Sequence, residues 1–104
     1  MSTVLVHVVL WRMNGTTLQE RLLQAKSAAE AFEATRGHIE GMLDMQVGVN
    51  VVEAPDAWDL ALYMRFKSKA ALDAYQNYPA HLEIKKIIGP MRMERKQVDF
   101  EWRP

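Results

Sequence analysis

Val4-Leu5-Val6-His7-Val8-Val9-Leu10-Trp11-Arg12-Met13 is the stretch on which the fold turns. It is dense in β-branched and large apolar residues, which suit a strand. Side chains alternate across a strand, so Val4, Val6, Val8 and Leu10 share one face. Leu5, His7, Val9, Trp11 and Met13 share the other. Both rows are apolar, with His7 and Arg12 as the polar exceptions. A strand of this kind needs cover on both sides.

Working outward, Asn14-Gly15 marks a turn. Thr16-x-x-Gln19 and Thr17-x-x-Glu20 both fit a capping box. Leu18, Leu22, Ala25, Ala29 and Phe32 then recur at steps of three or four, one stripe of a helix ending near Gly37. Ile39-Glu40-Gly41-Met42 turns the chain into a second strand, expected over Leu43–Val52, with Leu43, Met45, Val47, Val49 and Val51 on one face. Glu53-Ala54-Pro55-Asp56 is a turn. A third strand is expected over Trp58–Phe66, antiparallel to the second. Ser68 caps a helix over Lys69–Tyr78, Pro79 breaks it because proline has no amide hydrogen, and a further short helix runs Ala80–Ile88. After Gly89-Pro90 a last strand spans Met91–Trp102, with Val98, Phe100 and Trp102 on one face.

Strand, helix, strand, strand, helix, strand is the split βαβ, or ferredoxin-like, order: α+β, with an antiparallel sheet. Its helices cover one face of the sheet. The doubly apolar first strand therefore calls for a second layer, and a second copy of the chain is the economical source. At ~25 cal/mol per Å², an interface of ~1,500–2,000 Å² gives a large gross driving force before association costs. Val8→Asp or Val49→Asp is expected to split or unfold such a homodimer.

The chain has 104 residues, read as one domain over 1–104, and 49% of them are hydrophobic. Thirteen basic residues balance thirteen acidic ones, so no overall positive field draws in nucleic acid. The absence of cysteine excludes disulfides, a thiolate nucleophile and cysteine-bound metal. The first residues lack a basic run before an apolar one, and no apolar run reaches the ~18–20 residues a bilayer span needs. A cytoplasmic protein without membrane contact is expected. His7, His38 and His81 stand far apart without a metal-ligand spacing, so no metal and no cofactor is expected. Lys85-Lys86 and Arg92-x-x-Arg95-Lys96 read as a solvated basic face. The seven methionines read as adaptable packing.

Val6-His7-Val8-Val9-Leu10-Trp11-Arg12, Gly41-Met42, Val47-Gly48-x-Asn50, Trp58-Asp59-Leu60-Ala61-Leu62, Phe66, Leu72-Asp73-Ala74-Tyr75-Gln76-x-x-Pro79-x-His81 and Val98-Asp99-Phe100 together resemble the stress-responsive A/B barrel (Dabb) family. The resemblance runs through nearly the whole chain. It implies a dimeric α+β barrel that binds a small apolar molecule. One branch contains plant polyketide cyclases, in which the tyrosine and the proline-linked histidine of this motif act as an acid/base pair. Carried across, these are Tyr75 and His81, with His7 lining the same cavity. Trp11 and Leu60 are expected beside the substrate. The chain departs from the cyclase pattern at Tyr78, where a histidine usually precedes the proline, and at Leu60, where the cyclases place another histidine.

An imidazole titrates near neutral pH, so His81 suits a general base, and Tyr75 suits a donor to a developing oxyanion. Each has a plainer alternative: His81 bonded to a backbone carbonyl, Tyr75 as a core aromatic, His7 as a satisfied core histidine. At the level of function three readings stand. The first is a ligand-binding barrel with acid/base, cyclase-like chemistry. The second is a non-catalytic, ligand-sequestering stress-associated dimer. The third is a cofactor-independent or haem-linked monooxygenase, since dimeric α+β barrels also host those.

Overall fold

The computed structural model describes residues 3–103. Seven elements follow the expected order: β1 (Val4–Met13), α1 (Leu18–Glu33), β2 (Met42–Val49), β3 (Leu60–Phe66), α2 (Lys69–Gln76), α3 (Pro79–Ile88) and β4 (Arg92–Trp102). A short 3-10 turn, Gly89–Met91, joins the last two. The sheet is antiparallel throughout, in the order β2-β3-β1-β4. This is the α+β, ferredoxin-like fold. Among the described residues no helix is long and apolar enough to cross a membrane.

β1 sits centrally, paired with β3 on one side and β4 on the other. Its odd-numbered row faces the helices: Leu5, His7, Val9, Trp11 and Met13 are all buried. They pack with Ala25, Ala28 and Phe32 of α1, Leu72 and Tyr75 of α2, and Ile84 and Ile88 of α3. Thr17 is the cap of α1 and accepts from the Glu20 amide, while the Glu20 carboxylate accepts from the Thr16 amide and hydroxyl. Ser68 caps α2 through the Ala71 amide.

The even-numbered row of β1 faces away from the helices. Register sets Val4 opposite Trp102, Val6 opposite Phe100 and Val8 opposite Val98. On the other flank Val8 lies opposite Tyr63 and Leu10 opposite Ala61. Val98, Phe100 and Trp102 are 56%, 45% and 46% exposed, so the outer face presents large apolar side chains to solvent. That is a broad apolar surface for a single chain.

Several expectations need correction. β2 begins at Met42 and ends at Val49. A register shift between Met42 and Asp44 throws Leu43 outward, so Met42 and Met45 take the core row. Val51 and Val52 are exposed in the following loop. β3 starts at Leu60, because Asp59 is drawn into the interior, where its carboxylate accepts from the Met13 amide at 2.8 Å with Arg21 3.6 Å away. Val49 lies opposite Leu60 on the helix side, so only Val8 of the two valines tests the outer face. Helix α2 stops at Gln76, and Pro79 opens α3 as its first residue, where the missing amide hydrogen costs nothing.

Candidate functional site

Three elements converge on a cavity of about 320 Å³ on the helix side of the sheet. β1 supplies His7, Val9 and Trp11, and α3 supplies His81, Ile84 and Ile88. β4 contributes Arg95 and Gln97, which register places opposite Trp11 and Val9. Phe32 and Leu62 complete an apolar floor, and Gln76, Lys85 and Arg92 stand at the walls. The volume lies at the small end of the range for ligand cavities, roughly 300–1,000 Å³.

His7 is 2% exposed and held at one end. Its Nδ1 lies 2.5 Å from Oδ1 of Asp99, its cross-strand partner on β4. The other carboxylate oxygen accepts from Gln97 Nε2 at 2.7 Å. A carboxylate at Nδ1 selects the tautomer with the proton there and leaves the Nε2 lone pair free. The chain Gln97–Asp99–His7 thus orients an imidazole against the cavity.

His81 has different surroundings. It makes a tilted contact with Tyr75, ring centroids 4.4 Å and planes 51° apart, and Tyr75 in turn packs on Phe66 at 5.4 Å. The buried Nδ1 of His81 has no hydrogen-bond partner, so it is not tied to a backbone carbonyl. Burial, then the charges of Lys85, Arg95 and His7, push its pKa down to about 4. His81 is therefore neutral at physiological pH. Tyr75 is 1% exposed, its hydroxyl also lacks a partner, and burial raises its pKa, so it stays protonated.

Of the residues singled out from sequence, His7, Trp11 and His81 line the cavity. Tyr75 lies behind His81 and supports it. Leu60 lies elsewhere: it is a core residue at the start of β3 that borders a separate depression with Trp58 and Gly48. Arg95, Gln97 and Asp99 were not anticipated, and Arg95 is not part of a solvated face. Their signal was the alternation of β4, whose even-numbered row ends in Val98, Phe100 and Trp102. Among the described residues no group of three or more histidine or acidic side chains is placed to hold a metal ion.

A four-stranded antiparallel sheet, helices on one face, an apolar opposite face and a polar-walled cavity under the helices define a ferredoxin-like α+β domain. The chain belongs to the stress responsive A/B barrel domain (Dabb) family, whose model matches residues 5–102. It is similar to a dimeric protein of unknown function from Bacteroides fragilis, with 28% identity over 95% of this chain and 96% of that one and a TM-score of 0.84. A dimeric ferredoxin-like protein of unknown function from Thermobifida fusca shares 24% identity over 96% and 92% of the two chains, with a TM-score of 0.81. A hydroxynitrile lyase from Passiflora edulis shares the fold at 16% identity, covering 99% and 96%, with a TM-score of 0.78. No curated protein matches the sequence.

Proposed function

We propose that this chain works as a homodimer, outer face against outer face, whose cavity binds a small, largely apolar carbonyl compound and moves a proton on it. The observation that carries the reading is the meeting of two unlike imidazoles at one apolar-floored cavity: His7 anchored on Asp99, His81 packed against Tyr75. With Nδ1 of His81 buried, Nε2 is the nitrogen left to face a ligand. In the proposed step it takes a proton from the carbon next to the carbonyl, and the electron pair moves onto the carbonyl oxygen. Tyr75, kept protonated behind the ring, holds that imidazole in place. Trp11 supplies an apolar wall.

Support for the dimer comes from the exposed Val98, Phe100 and Trp102 and from the dimeric nature of the similar Bacteroides protein. Light scattering after size exclusion should give twice the 12.0 kDa chain mass. Ligand capture is read by native mass spectrometry and thermal shift against a panel of apolar ketones and diketones. Proton transfer is read by NMR as exchange of their α-hydrogens in deuterium oxide. Exchange above the buffer rate that vanishes in His81→Ala supports the enzyme. Binding without exchange leaves the non-catalytic, sequestering reading in its place.

A further inference from the structure

We propose that the carbonyl compound taken by the cavity is also an acid, with a carboxylate that meets Arg95 and an apolar body that lies on the floor formed by Val9, Trp11 and Ile84. This rests on the reading of the cavity as a binding site and names its substrate class. Arg95 projects from β4 on the helix side, opposite Trp11, and is partly buried. Among the described residues it donates no side-chain hydrogen bond and joins no ion pair, whereas Arg21, Arg36 and Arg65 each have an acidic neighbour. A guanidinium drawn out of water without an anion is costly, and its five donors match a carboxylate's two oxygens.

The nearby acid does not serve. Asp99 has one oxygen on His7 and the other on Gln97. Glu83 on α3 pairs with Lys86. Lys85 and Arg92 add two further cations to the cavity wall, and neither has an ion-pair partner among the described residues. The whole chain carries no net charge, so this excess is local to the cavity. Burial and the Arg92 charge hold the Arg95 pKa below its usual value, a penalty that a bound anion relieves. The apolar floor favours an acid with a hydrocarbon body over a free inorganic anion.

The test uses octanoate as probe, octanamide and 1-octanol as uncharged counterparts and octyl phosphate as a second anion. Binding is followed by calorimetry and by the NMR shifts of the Ile84, Ile88 and Val9 methyls in the full chain. Octanoate is expected to move those methyls and to bind at least about tenfold tighter than octanamide. Arg95→Gln should bring octanoate down to the amide's affinity, Arg95→Lys should restore part of the difference, and added salt should weaken octanoate alone. If Arg95→Gln does not fold, Lys85→Gln combined with Arg92→Gln should reduce the same preference. Octanamide binding as tightly as octanoate in the wild type overturns the carboxylate proposal and leaves the cavity reading intact. Octyl phosphate binding more tightly than octanoate overturns the choice of anion. No methyl shift with any probe, from hexanoate to dodecanoate, removes both this proposal and the cavity reading.

Discussion

His81 should make the folded protein acid-sensitive over a definite window. Its ordinary pKa of 6.5 falls to about 4 in the folded chain. The groups facing it are Tyr75 on α2, Lys85 on its own helix, Arg95 on β4 and His7 on β1; burial leads, and the three cationic or cation-forming neighbours add to it. As pH falls through about 6.5 the unfolded chain takes up a proton on His81 while the folded chain does not. Stability from this residue is complete above that pH, declines toward about pH 4 and is flat below it. The full shift corresponds to about 3 kcal/mol. His81 is only partly buried and its cationic neighbours are partly solvated, so screening reduces the expected loss to ~1–2 kcal/mol. The assay is urea unfolding at about pH 7.5 and pH 4.5 at one protomer concentration, for wild type and His81→Gln. Glutamine does not titrate, so the variant should lose ~1–2 kcal/mol less than wild type on acidification. Equal losses would refute the buried, neutral imidazole and, with it, the assignment of His81 as an uncharged base.

Removing the unpartnered hydroxyl in Tyr75→Phe should leave stability unchanged or raised by up to ~1 kcal/mol in urea unfolding, because no hydrogen bond is lost. Asp59→Ala should destabilise by ~2–3 kcal/mol, since it strands the buried Met13 amide; calorimetric unfolding measures it. Gly41→Ala should cost more than ~1 kcal/mol in the same assay, because φ is +82° and the new Cβ would lie 2.7 Å from that of Ala71. Val8→Asp puts a charge in the middle of the outer face and should shift the light-scattering mass toward one chain at micromolar concentration, with the helix-side core and its circular dichroism retained.

Element order and type were legible because each segment's period matched its cover. Val4–Met13 emerged with its true boundaries from its β-branched density. Leu43 and Val51 were placed in the core row by strict alternation, but a bulge takes one residue out of phase, and alternation alone does not reveal where a strand's partner ends. Alternation along Trp58–Phe66 puts Asp59 on the face opposite Trp58, Leu60 and Leu62. Its interior position depends on Met13, 46 residues away, which no local pattern carries.

The site was legible where chemistry is concentrated in one residue type, as in His7 and His81, and hidden where it depends on which way a strand is turned. Over its C-terminal half β4 has one polar and one apolar row, and polarity normally says which row faces water. Here the outer face has its own apolar surface, so the apolar row, Val98, Phe100 and Trp102, points away from the helices and the polar row, Arg95, Gln97 and Asp99, points under them. A slip of one residue in the β1–β4 register would exchange the rows. Phe100 and Trp102 would then crowd the helix side, and Arg95 and Asp99 would stud the outer face with charge. The same register therefore opens the cavity and makes the opposite face apolar. A variant that disturbs it, such as a one-residue insertion in β4, should lose self-association and cavity binding together, whereas Val8→Asp should lose the first and retain the second, because residues of one chain line the cavity.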